Sequence, residues 1–177
     1  MGVDVNHKEN GECPIHIASK KKLHKIIKLL LENGANINAY STTMEQPIDI
    51  AIKANDFPTL QLLLDNGATL IDNATQNPHH ALFSAVYSSN SEMFYYFLNE
   101  FYADFDVSTI QNAKCRSLLH SLVASNNADS LEILTYLLEN YKFEVDAIDK
   151  KKQTALQLTV ERYVFKEPFA RLLLKHG

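Results

Sequence analysis

Apolar positions along this chain fall in short helical stripes separated by polar turns at regular intervals. Ile15 and Ala18 stand three residues apart and mark one face of a short helix, and Ile26, Ile27, Leu29, Leu30 and Leu31 give the buried stripe of a second. The pattern then repeats. Lys28-Leu29-Leu30-Leu31-Glu32-Asn33-Gly34-Ala35-Asn36 returns 33 residues later as Gln61-Leu62-Leu63-Leu64-Asp65-Asn66-Gly67-Ala68-Thr69. The same shift maps Pro14-Ile15-His16-Ile17-Ala18 onto Pro47-Ile48-Asp49-Ile50-Ala51. Self-similarity of this kind marks stacked helical units, each too small to bury its apolar face alone.

Three weaker copies follow, anchored by His80-Ala81-Leu82-Phe83-Ser84-Ala85, Ser117-Leu118-Leu119-His120 and Thr154-Ala155-Leu156-Gln157. With Cys13, Gln46, His80, Ser117 and Thr154 as equivalents, the intervals are 33, 34, 37 and 37 residues. The later units therefore carry insertions, expected in the turn 126–130 and near Tyr141-Lys142-Phe143-Glu144, where a glycine turn is replaced.

Helix boundaries are also legible. Pro14 and Pro47 suit the first position of a helix, where a missing N–H leaves nothing unpaired, and Pro168 stands near the start of the last helix. Asp56 reads as an N-cap, as does Asp129 or Ser130. Gly34 and Gly67 read as left-handed C-caps, the conformation that a Cβ disfavours. The chain turns there.

After the glycine comes Asn36-Ile37-Asn38-Ala39, and Gly2-Val3-Asp4-Val5-Asn6 opens the chain with the same element. Together these motifs resemble the ankyrin-repeat family, whose unit of about 33 residues is a turn followed by two helices with a Thr-Pro-Leu-His-x-Ala signature. Tetratricopeptide repeats have a similar period but lack the Gly-Ala-Asn-Ile-Asn element. The resemblance is sharp in the first two units and degraded in the last three, where Phe83, His120 and Gln157 stand at the signature histidine. It implies an all-α solenoid of about five helix-turn-helix units with β-hairpin or turn tips. The units are read as approximately 7–39, 40–72, 73–107, 108–147 and 148–177, forming one repeat domain. Leu30, Leu63, Leu98, Leu138 and Leu173 are then expected in one continuous core.

The family binds partners on its hairpin tips and the exposed side of each first helix. Carrying those variable positions over, unit by unit, gives Glu9, Asn10, Glu12, Lys20 and Lys21, then Tyr40, Thr42, Thr43, Glu45 and Lys53. The third unit contributes Gln76, Asn77, His79 and Tyr87, the fourth Lys114 and Arg116, and the fifth Lys150, Lys151, Gln153 and Arg162. Cations outnumber acids in this set, so the expected partner is a protein with an acidic segment, anchored by Tyr40, Tyr87 and the arginines.

Composition narrows the alternatives. The chain has 177 residues, 46% of them hydrophobic, which is ample for a continuous core. With 17 Lys+Arg against 21 Asp+Glu the net charge is −4, giving no global attraction to nucleic acid or anionic membrane. The basic runs Lys20-Lys21-Lys22 and Lys150-Lys151-Lys152 are the local exceptions. Two cysteines, Cys13 and Cys115, are too few for a disulfide framework and suit a reducing compartment. No apolar run is long enough to span a membrane, and the start lacks the blocks of a signal peptide.

Catalytic or metal chemistry finds little support. Cys13 and His16 have the spacing of half a zinc site, but no second pair stands in register, and no cofactor or metal is expected. The resemblance instead gives His16 and His120 a structural role, tying each turn to the backbone of its own and the next unit. Cys115 with His120 lacks an orienting third group for nucleophilic work. His79-His80 reads as a solvated turn, with pH sensing or partner contact as the alternatives.

The expected function is therefore a non-catalytic, monomeric protein-binding scaffold, cytoplasmic in location. The alternatives are a recognition domain for nucleic acid or anionic lipid, or a targeting domain attached to a separate enzymatic domain. Neither end carries a polar capping repeat, so the chain reads as a piece of a larger protein. Its richness in Lys, Asn, Ile, Tyr and Phe is similar to that of ankyrin effectors that intracellular bacteria deliver into host cytosol.

Overall fold

The computed structural model describes residues 3–70, 79–88, 90–125, 127, 129–161 and 166–177. The chain divides into two compact units, Met1–Leu70 and Ile71–Gly177. Among the described residues there are ten α-helices and no strand of a sheet. None of these helices is long and apolar enough to cross a membrane.

The first unit holds two helix pairs: α1 (Pro14–Lys20) with α2 (His24–Glu32), and α3 (Pro47–Lys53) with α4 (Phe57–Asp65). First helix packs on first helix, α1 on α3, and second on second, α2 on α4. The core is made by Ile15, Ala18, Ile27, Ile48, Ala51, Ile52, Leu60 and Leu63. Leu30 and Leu31 are only half-buried, and Ile26 and Leu29, expected in the stripe, are exposed at 43% and 54%. The sequence pattern marks which residues are apolar, but α2 has a helix neighbour for only part of its apolar surface.

Each helix of this unit ends in one motif. Gly34 (φ 84°) and Gly67 (φ 89°) are left-handed, and the next residue's N–H reaches back into the last turn, Ala35 to Leu30 O and Ala68 to Leu63 O, both 2.9 Å. Lys22 (φ 54°) and Asn55 (φ 48°) close α1 and α3 in the same way without a glycine. Asp56 stands at the N-cap position of α4, but its carboxylate accepts the Thr59 hydroxyl at 2.6 Å rather than a first-turn N–H.

The second unit continues with α5 (His80–Tyr87), α6 (Ser91–Phe101), a 3-10 turn at Val107–Thr109, α7 (Leu118–Ser125), α8 (Ser130–Asn140), α9 (Ala155–Leu158) and α10 (Glu167–His176). Here α5 packs on α7 and α7 on α9, while α6 packs on α8 and α8 on α10. Leu98, Leu138 and Leu173 are buried in this unit with Leu82, Phe94, Phe97, Leu119, Leu122, Leu134 and Leu137.

The insertions lie partly in the helices. The second helices α6 and α8 have 11 residues each, against nine in α2 and α4. They end at Tyr102 (φ −126°) and Tyr141 (φ −131°) with no left-handed residue, so the glycine-free ends have a different exit. Pro168 falls in the first turn of α10.

Of the two expected forms, the tips take the turn. Among the described residues they are tight turns, two of them closed by a single isolated antiparallel bridge, Glu9 with Glu12 and Ile148 with Thr154.

Candidate partner-binding surface

Each described tip has a left-handed residue three positions before the start of a first helix, Gly11 (φ 84°, preceded by left-handed Asn10, φ 52°), Met44 (φ 59°), Cys115 (φ 54°) and Lys152 (φ 59°). Cys115 thus occupies a turn position that favours glycine. Successive tips are joined by one backbone bond. In the first unit the Thr42 N–H donates to Gly11 O at 3.1 Å, and in the second the Lys150 N–H donates to Lys114 O at 3.0 Å.

The signature position works as a helix cap. In the first unit His16 Nδ1 accepts the Cys13 N–H at 3.1 Å, and an Asp49 carboxylate oxygen accepts the Gln46 N–H at 2.8 Å. In the second, the Gln157 side chain accepts the Thr154 N–H at 2.9 Å, and His120 Nδ1 lies 2.8 Å from the Ser117 hydroxyl. The far nitrogens of the two histidines reach toward the following repeat within the same unit. His16 Nε2 lies 2.9 Å from Ala39 O and 3.2 Å from Glu45 O, and His120 Nε2 lies 3.0 Å from Gln153 O. Burial holds the His120 pKa below its ordinary value, although the Gln153 carbonyl and Asp149 pull the other way.

A second repeated device links tip to first helix. Lys20 pairs with Glu12, and 33 residues on Lys53 Nζ lies 2.5 Å from Glu45 Oε1. Thr43 also donates to Glu45 at 2.9 Å, and its pKa is lowered chiefly by the Lys53 hydrogen bond. In the fifth repeat the pair is inverted, with Gln153 donating to Glu161 at 2.9 Å. The lysine excess expected on this surface is therefore cancelled in the first unit. The sequence signal for these pairs is the Glu-to-Lys spacing of eight, which recurs at the repeat period.

Between α1 and α3 lies a shallow pocket of about 280 Å³ lined by Lys20, Glu45, Ile50, Lys53 and Ala54. Of the other residues expected on the binding surface, Glu9, Asn10, Lys21, Thr42 and Thr43 are exposed in the first unit and Tyr40 is half-buried. In the second unit Tyr87, Lys114, Lys150 and Lys151 are exposed, and the Tyr87 hydroxyl donates to Ser121 at 3.1 Å. Gln76, Asn77 and Arg162 lie outside the described residues.

Two expectations are corrected. Arg116 is not an open anchor, because its Nε donates to the buried Asp149 Oδ2 at 3.0 Å. Burial disfavours the Asp149 charge, but Arg116 and the N–H groups of Lys151 and Gln153 outweigh it and hold the pKa low. His79 is not in a solvated turn. It is half-buried against Tyr102 and Phe105, with ring centroids at 5.6 and 5.4 Å, and Nδ1 lies 3.1 Å from the Tyr102 hydroxyl. Burial lowers the His79 pKa and pushes that of Tyr102 up to about 12.

Among the described residues no group of three or more His, Cys, Asp or Glu side chains is placed to hold a metal ion. Helix pairs recur along the described residues, with left-handed tips and signature-position contacts in four repeats and tip-to-helix bonds in three, and these define a helical-repeat protein. The family model for ankyrin repeats (3 copies) matches residues 1–74, so that stretch is similar to ankyrin repeats. No curated protein matches the chain.

Proposed function

We propose that this chain is a non-catalytic scaffold whose tips and first helices hold a segment of another protein. Ankyrin repeats are generally protein–protein interaction modules, and their specificity resides in side chains displayed on a shared fold. The observation that carries the reading is the pocket between α1 and α3, edged by Lys20, Lys53 and Glu45. Its floor, Ile50, offers an apolar contact inside a charged rim, the arrangement of an anchor position.

In the second unit, Lys114 and Lys150 stand on tips joined by a backbone bond, with Lys151 next in sequence. Asp149, the carboxylate beside them, is already engaged by Arg116. These three lysines favour an acidic stretch of the partner. The composition fits a host-directed effector acting in a cytosol.

Affinity capture from lysate with the native chain and with Lys114→Glu/Lys150→Glu/Lys151→Glu tests the reading. A protein retained by the native chain, lost with charge reversal and weakened by salt is the expected result. Retention unaffected by the triple change removes the tips as the site. Capture abolished by heparin or RNA at physiological salt moves the assignment to nucleic acid.

A further inference from the structure

The outer side of the first helix pair shows an open face that the following pair does not. Ile17 of α1 is 37% exposed, Leu23 before α2 is 43% exposed, and Ile26 and Leu29 of α2 are 43% and 54% exposed. One period later the positions of Ile17, Leu23 and Ile26 are taken by Ile50, Asp56 and Thr59, which are 6%, 4% and 0% exposed. They are covered because α1 and α2 pack against α3 and α4. The fold therefore shows what fits this face: a helix lying across it, as α2 lies on α4.

Charge selects the kind of helix. From Lys20 to Leu31 there are five lysines and no carboxylate, although the chain as a whole has a net charge of −4. Lys20 is paired with Glu12, and Lys22 Nζ donates to Ala54 O at 3.3 Å, but Lys21, Lys25 and Lys28 project exposed around the apolar residues. A depression of about 450 Å³, lined by Lys22, Leu23, His24, Lys25 and Ile26, gives room for side chains from above. Asp56, 3.6 Å from His24, is buried, while Asp4, Glu9 and Glu12 lie around Ile17, so the cationic rim belongs to the α2 side of the face.

We propose that the face formed by Leu23, Ile26 and Leu29, rimmed by Lys21, Lys25 and Lys28, docks an amphipathic helix of another protein with carboxylates flanking its apolar stripe. Apolar burial supplies the attraction, and the lysine rim sets partner and orientation. A lipid surface fits less well, because these side chains lie along a helix flank and are half-covered, whereas insertion requires apolar groups that protrude. This face adjoins the tip and first-helix surface at Lys21 but is carried by α2, and the α2 variants and the tip-lysine variant tell the two apart.

The probe is a synthetic amphipathic peptide of about 18 residues, with leucine on one face and glutamate on the other. It is titrated into the whole chain by fluorescence anisotropy. A control peptide has lysine in place of glutamate, and vesicles of phosphatidylserine and phosphatidylcholine form a third arm. The acidic peptide is expected to bind, and Ile26→Glu or Lys25→Glu/Lys28→Glu to weaken it by about tenfold or more. Because these positions are exposed, circular dichroism and melting of both variants should match the parent. Lys114→Glu/Lys150→Glu/Lys151→Glu should bind the peptide as the parent does. No binding of the acidic peptide, equal binding of the lysine peptide, or binding unchanged in both α2 variants overturns the proposal. So does preferential binding to the vesicles, or sedimentation showing that the chain self-associates through this face.

Discussion

Arg116 Nε donates to Asp149 Oδ2 at 3.0 Å, joining the tip before α7 to the tip before α9 through a carboxylate that is almost fully buried. Removing the guanidinium leaves that carboxylate with only the N–H groups of Lys151 and Gln153. Arg116→Ala is expected to cost about 1–3 kcal/mol, as for a buried charge that loses its partner. Asp149→Asn should cost less in the Arg116→Ala background than alone. Urea denaturation of the two single variants and the double variant measures the coupling.

Leu63 is fully buried, whereas Leu29, in the adjoining second helix, is 54% exposed. Leu63→Ala should cost about 2–5 kcal/mol as a cavity in the first unit. Leu29→Ala should fall within about 0.5 kcal/mol of the parent. Equal losses in thermal melting would contradict the helix register assigned here to α2 and α4.

Stability should fall with acid in two steps. His79 and His120 both have pKa values lowered by burial from 6.5. Each binds fewer protons when folded than when unfolded, so the stability it contributes is complete above about pH 6.5 and falls as pH drops through the folded value. Glu45 and Asp149, lowered from 4.5 and 3.8, contribute stability that is present above those values and lost below them. Urea midpoints measured from pH 7.5 downward should decline first below about pH 6.5. His79→Asn combined with His120→Asn should remove that first decline and leave the second.

Met44 and Lys152 hold left-handed backbone with side chains that disfavour it. Met44→Gly and Lys152→Gly should each stabilise by up to about 1 kcal/mol, the relief of strain exceeding the added freedom of the unfolded chain. Gly34→Ala should cost about 1 kcal/mol from backbone strain alone, since nothing lies within 4 Å of an added Cβ. Gly11→Ala should cost more, because its Cβ would collide with the Thr42 side chain on the next tip. Melting temperatures of the four variants rank these effects.

The sequence alone determined the helix pairs of the first two repeats, because their register is written in local chemistry. Apolar spacing fixes which side of a helix is greasy, Pro14 and Pro47 fix where helices begin, and Gly34 and Gly67 fix where they end. It also identified His16 as a tie between units, through the family resemblance. What it left open were properties of neighbours brought together from far along the chain. Whether Ile26 is core or surface depends on whether a helix lies across it, and whether Arg116 is a binding residue depends on Asp149, 33 positions away. His79 read as a solvated turn because Tyr102 and Phe105 reach it only after α5 and α6 fold together. Periodicity is a local signal and survives in one dimension, but burial and ion pairing are sums over contacts that only the folded chain supplies.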